Sequence, residues 1–154
     1  MFFETFWLFG RINTVFKQLM SQHTENQVKI TKQNNPEGIV ERMVVGLCEK
    51  MNIKEERFGN ILLAITEAVD NAIEHGNKNH PDKAVELSYK TSPEGVTVTV
   101  ADQGQGFDPN HVADPTHPEN ISDEGRGLFV MKHLADKVAF EENGKKVVLS
   151  FNLN

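Results

Sequence analysis

The stretch Ile61 to Gly76 reads ILLAITEAVDNAIEHG. At about 100° per residue, Ile61, Leu62, Ile65, Val69, Ala72 and Ile73 gather on one side, and Glu67, Asp70, Asn71, Glu74 and His75 gather on the other. The spacing predicts an amphipathic helix over about Lys54 to His75, closed by Gly76. Such a helix needs a layer to cover. Val96-Thr97-Val98-Thr99-Val100 alternates strictly, which predicts a strand with one buried and one wetter face. The polar side of a helix is ordinarily just solvated. Here Asn71, a mediocre helix former, sits well inside, and the polar side carries acids and amides but no lysine to pair them.

Working outward, Gln27 to Gln33 alternates Val28 and Ile30 with polar neighbours and predicts a strand. Asn35 before Pro36 is a helix start, and Ile39, Met43, Leu47 and Met51 recur every fourth residue, so a helix runs from Pro36 to about Met51. A polar loop covers Asn77 to Asp82. Strands Ala84 to Thr91 and Gly95 to Ala101 are joined by the turn Ser92-Pro93-Glu94-Gly95. Residues 103–124 are rich in Gly, Pro and Asp and have little periodicity, the mark of a functional loop. A helix follows from about Gly125 to Ala135. The chain closes with strand Lys137 to Glu141, the turn Glu142-Asn143-Gly144, and strand Lys145 to Leu153. The sum is α+β: a two-layer sandwich with helices on one face of a mixed, mainly antiparallel sheet.

The chain has 154 residues, enough for one domain with a real core. A net charge of −6 without a basic run argues against direct nucleic-acid binding. Cys48 is the only cysteine, which rules out an internal disulfide and fits a reducing, cytoplasmic setting. Its place in an apolar helical pattern marks it as a small core residue. Residues 1–20, MFFETFWLFGRINTVFKQLM, are apolar but too short for a membrane span and poorly built for a signal peptide. They are read as a packing helix, or as a leader preceding a true start at Met20, with membrane contact disfavoured. The domain proper is taken as residues 21–154.

Three stretches carry chemistry. Glu67 and Asn71 lie one turn apart: the amide oxygen is a hard ligand suited to Mg²⁺, and the carboxylate can orient or deprotonate a hydroxyl aimed at a phosphate. Asp102-Gln103-Gly104-Gln105-Gly106-Phe107 follows a strand; its acid can accept from an adenine amino group, and its glycines allow positive φ and close backbone approach. Alone it is an ordinary Asp-Gly turn. Gly125-Arg126-Gly127-Leu128 opens a helix, where free N–H groups favour an anion and Arg126 can add charge, or the glycines simply close the loop. His75 can cap its helix. There is no GxxxxGK[ST] and no zinc-ligand spacing.

Glu67-x-x-x-Asn71, Asp102-x-Gly104-x-Gly106-Phe107 and Gly125-Arg126-Gly127-Leu128 together resemble the three boxes of the GHKL ATPase superfamily. The phrases Ile65 to Gly76 and Gly106 to Pro109 are similar to its branch of serine-kinase anti-sigma factors, of the RsbW and SpoIIAB type, over roughly Gln27 to Leu153. The resemblance implies an ATP-binding kinase fold with ATP and Mg²⁺ under the stretch 103–124. It implies that Asn71 holds the metal, Glu67 acts as catalytic base toward a serine or threonine, Asp102 receives adenine beside Gly104 and Gly106, and Gly125 to Leu128 meet the phosphates. It also implies a STAS-type anti-anti-sigma partner, a competing sigma factor, and a homodimer. Two readings stand beside it: an ATP-binding switch without catalysis, and a detached histidine-kinase catalytic domain.

Overall fold

The computed structural model describes residues 26–110 and 123–153. The 1–20 segment and residues 111–122 of the expected functional loop lie outside the described residues. Strand β1 (Asn26–Ile30) leads to helix α1 (Pro36–Met51), then helix α2 (Glu55–Asn71), which continues as a π-turn (Ala72–Gly76). Strands β2 (Val85–Ser92) and β3 (Gly95–Ala101), helix α3 (Asp123–Leu134), and strands β4 (Lys137–Glu141) and β5 (Lys146–Asn152) complete the order. The sheet runs β1-β2-β3-β5-β4. All four pairings are antiparallel, so the expected mainly antiparallel sheet is antiparallel throughout the described residues.

The helix α1 reads as its sequence predicts because asparagine closes both ends. Asn35 and Asn52 adopt the left-handed conformation, with φ of 57° and 51°. The Asn35 side chain accepts from the Gly38 N–H at 3.3 Å, and Pro36 occupies the first turn, where its missing N–H is not needed. The first strand is shorter than its alternation predicts. The Asn34 side chain takes the Thr31 N–H at 2.9 Å and folds Thr31–Asn34 into a turn, so pairing stops at Ile30. Helix α3 starts at Asp123 rather than Gly125, which places Gly125 and Gly127 inside its first turns.

Side chains at alternate positions share a face. The helix-facing rows of the sheet include Leu87–Val100–Val147 and Tyr89–Val98–Leu149, all buried. The opposite face carries Ser88, Thr97, Thr99 and Ser150, with the exposed ion pair Lys29–Glu86 at 3.6 Å. Helix α2 lies between α1 and α3. It buries Ile61, Ala64, Ile65, Ala68 and Val69 against the sheet. Each fully buried aliphatic side chain contributes about 1.5–3 kcal/mol relative to exposure. Cys48 packs half-buried against this core, and burial pushes its thiol pKa up.

Candidate nucleotide site

The site grows around the C-terminal half of the central helix α2. Glu67 and Asn71 are half-buried, one turn apart on α2. They face the start of α3 at Gly127. A side-chain carbon at Gly127 would lie 2.7 Å from Asn71 Nδ2 and 2.9 Å from Glu67 Oε2. Only a residue without a side chain lets the two helices bring this acid and this amide so close to the α3 backbone. Gly125 and Leu128 are buried beside it, and Arg126 is exposed.

Asp70, on the same helix, is crowded by its own kind. Burial, then the charges of Glu67, Glu74 and Glu37, push its carboxyl up to about 6. Glu37 reaches it from the N-terminal turn of α1, so this end of the helix layer concentrates negative charge.

Past Asn71 the helix widens into the π-turn. The Asn77 N–H reaches back to the Ala72 carbonyl at 2.8 Å, five residues away. Such insertions are frequent at functional sites. Here the π-turn borders a pocket of about 150 Å³. Its floor is one row of the sheet, Val100, Val147 and Phe140, paired across β3, β5 and β4. Ala68, Ala72, Leu128 and Met131 supply the apolar walls, and Asn71, His75 and Asp102 the polar ones.

Asp102 follows β3 and continues its alternation, so its side chain falls on the same face as Val100. Its N–H donates to the Lys145 carbonyl at 2.9 Å, and its Oδ1 accepts the Gly104 N–H at 2.7 Å. Burial raises the Asp102 pKa, opposed by the Gly104 hydrogen bond and the charges of Lys145 and Lys83. Gly106 has φ of 80°, the left-handed conformation its place in the turn predicts, and it packs on the Asn143 carbonyl. Gly104 does not use positive φ; its role is contact, against the Gly76 carbonyl. Phe107 is held by its N–H to the Asn143 carbonyl at 2.9 Å and meets Phe140 edge-on at 5.6 Å.

Of the residues singled out from sequence, Asn71, Asp102, Gly106 and Leu128 line this one pocket. Glu67, Gly125 and Gly127 adjoin it at the α2–α3 contact, Gly104 lies behind Asp102, and Arg126 points outward. The structure adds Phe140, Gly144 and Val147 from the last hairpin. The β5 alternation could have placed Val147 on the buried face, but nothing local says which hairpin meets the Asp102 turn. His75, read as a helix cap, lies at the end of the π-turn and also forms a pocket wall.

An apolar slot lined by a carboxylate and an amide, with a second carboxylate beside the amide, suits a flat heterocycle joined to an anionic group that carries a cation. Comparison with known proteins is consistent. Residues 33–151 match the histidine kinase-like ATPase domain. The chain is 26% identical over 141 residues to serine-protein kinase RsbW of Bacillus subtilis, covering 83% of this chain and 85% of that protein. It is 27% identical over 130 residues to serine-protein kinase RsbW of Bacillus licheniformis, covering 76% and 78%. It is 25% identical over 133 residues to the anti-sigma F factor of Clostridium beijerinckii, covering 82% and 93%.

Proposed function

Because the chain belongs to the histidine kinase-like ATPase domain family, we propose that it is an ATP-dependent protein serine/threonine kinase that regulates a sigma factor. Its acceptor is a STAS-type anti-anti-sigma protein and its competing client a sigma factor. What supports the kinase half is one observation: Glu67 and Asn71 sit together over Gly127, and Asn71 lines the same pocket as Asp102. What supports the regulatory half is the names of the relatives, a serine-protein kinase and an anti-sigma factor.

On this reading Asp102 accepts the exocyclic amine of adenine through Oδ2, over the apolar floor. The N-terminal turn of α3, as far as Gly125, offers free backbone N–H groups to the phosphates, Gly127 and Leu128 contact them from within the helix, and Arg126 adds positive charge. The donor set fits Mg²⁺ brought in by the nucleotide. Among the described residues no group of three or more His, Cys, Asp or Glu side chains forms a metal cage. Mg²⁺ prefers one or two protein oxygens together with phosphates and waters, and Asn71 Oδ1 supplies such an oxygen. The ion's contribution is to neutralise charge on the phosphate oxygens. Glu67 takes the proton of the acceptor hydroxyl as its oxygen bonds to the γ-phosphorus and the bond from γ-phosphorus to the β–γ bridging oxygen breaks, leaving ADP. The new phosphate adds about −1.5 to −2 charges to the acceptor. The acidic surface formed by Glu37, Glu67, Asp70 and Glu74 then repels it, and the acceptor leaves.

No described helix is long and apolar enough to cross a membrane. The protein works as a homodimer in the cytoplasm on this reading.

The test uses labelled ATP, Mg²⁺ and a purified STAS-type anti-anti-sigma protein. The expected result is acid-stable label on a serine or threonine of that protein, lost in Glu67→Ala. Three results would overturn the proposal: no transfer to such a protein, acid-labile phosphohistidine, or product undiminished in Glu67→Ala.

A further inference from the structure

Asn77 is the one polar residue in the buried core of the described molecule, with 2% exposure. The sequence places it at the start of a polar loop, where a solvated side chain is expected. Instead its Oδ1 accepts the backbone N–H of Gln103 at 2.8 Å, inside the Asp102–Gly104 turn. Its Nδ2 is buried and has no partner among the described residues. A half-satisfied buried amide weakens a fold, since an unpaired donor loses its water. The fold alone does not call for one here.

What surrounds Asn77 gives it a use. Residues 76–77 and 102–104 interlock. A side-chain carbon on Gly76 would stand 2.7 Å from Asp102 Oδ1 and would collide with the rest of that carboxylate. Gly104 in turn packs on the Gly76 carbonyl. The Gln103 side chain continues the lock, its Oε1 accepting the Ala84 N–H at 2.9 Å. The Asp102 carboxylate is thus held from three directions: by Gly104 N–H on Oδ1, by the bare α-carbon of Gly76 beneath it, and by Asn77 through the adjacent peptide.

We propose that Asn77 is a positioning residue for nucleotide selection. It anchors the Gln103 peptide so that Asp102 presents Oδ2 to an exocyclic amine, and so favours aminopurine over oxopurine nucleotides. The inference rests on Asp102 reading the base. A carboxylate held in place rewards a matching donor and is left unpaired and desolvated by a carbonyl. A carboxylate free to turn away loses that discrimination while the phosphates still bind.

Calorimetric titration with Mg²⁺–ATP and Mg²⁺–ITP decides it, because ITP carries a carbonyl where ATP carries the amine. Wild type should bind ATP about 10–100-fold more tightly, the range expected of a hydrogen bond to a charged group. In Asn77→Leu, which fills the buried space, that ratio should fall to about threefold or less, with ITP affinity nearly unchanged. A purely structural role would weaken both nucleotides together and leave the ratio intact, and that result overturns the inference. Should Asn77→Leu fail to fold, Gly76→Ala decides in its place. Gly76 does not have positive φ, so alanine brings no backbone strain there, and its methyl group displaces the Asp102 carboxylate. The same collapse of the ratio is expected, and an unchanged ratio refutes the interlock. A wild type indifferent to the amine refutes the Asp102 reading itself, and this inference with it.

Discussion

Helix α2 has two ends built on opposite principles. At the N-terminal end, Arg57 pairs with Asp136 at 2.7 Å, and the same carboxylate oxygen takes the Asn152 N–H at 2.7 Å. Those bonds hold the Asp136 carboxyl below its usual range. Next along the helix come Ile61, Ala64 and Ile65, buried to 0% exposure. At the C-terminal end, Glu67 and Glu74 crowd Asp70 with like charge, and the helix widens into the π-turn. One end is arranged to be stable. The other keeps like charges in place at a cost in stability, which is how groups are kept available for a ligand. The stable end is what holds the costly one in position.

If that division is right, a change at the functional end should affect chemistry more than stability. Gly127→Ala puts a methyl group against Asn71 and Glu67. Those are the tips of flexible side chains, which can yield without unfolding the helix. Phosphoryl transfer should fall about 100-fold, as expected of a displacement near 1 Å, while the melting temperature holds or rises. A loss of melting temperature matching the loss of activity would erase the contrast.

At the stable end, Ile61→Ala should cost about 2–5 kcal/mol in urea unfolding. Whatever protein remains folded should keep its nucleotide affinity. Weakened binding by the folded fraction would mean the two ends are not separable.

Asp70 sharpens the comparison through pH. Its folded pKa of about 6 lies above the ordinary value of 3.8, so ionisation opposes folding. That penalty is absent below about pH 4, grows as pH rises, and is complete above about pH 6. Asp70→Asn should therefore stabilise the protein at pH 8, by about 1 kcal/mol after solvent screening, and not at pH 4. Urea unfolding at the two pH values reads this. An equal effect at both would show that charge repulsion is not stored here.

The smallest effect tests the stable end for slack. Gly59 is exposed, mid-helix, and has open space around the position of a side-chain carbon. Gly59→Ala should raise stability by about 0.5–1 kcal/mol in thermal unfolding. A loss would mean an unseen constraint on α2.

The same division explains what was legible in the sequence. Helix α1 is readable to the residue because its signals are local: Asn35, Pro36 and Asn52 close it by themselves. The alternation of β3 and the apolar side of α2 are readable because burial imposes a period on each. Glu67 and Asn71 were visible for the related reason that they break that period's usual logic. The π-turn was not visible. Ala72 to Gly76 has ordinary helical composition, and its widening accompanies the meeting of Gly76 and Asn77 with a turn more than 20 residues on. Gly104 was read for positive φ or close backbone approach; it serves the second, and nothing local names the Gly76 carbonyl as what it approaches. The turn at Asn143 was foreseen, but it is a short 3-10 turn with Glu142, Asn143 and Gly144 all at positive φ, and it carries Phe107 on its carbonyl. Contacts between distant segments leave no local mark, and those contacts complete the pocket.

The central claim is that Glu67 is the base at the phosphate end of a nucleotide pocket. Glu67→Gln keeps the shape and removes the base. The account predicts that this variant binds Mg²⁺–ATP within about twofold of wild type in calorimetry and transfers phosphate to the acceptor protein at least about 100-fold more slowly in a single turnover. Transfer at the wild-type rate would contradict it.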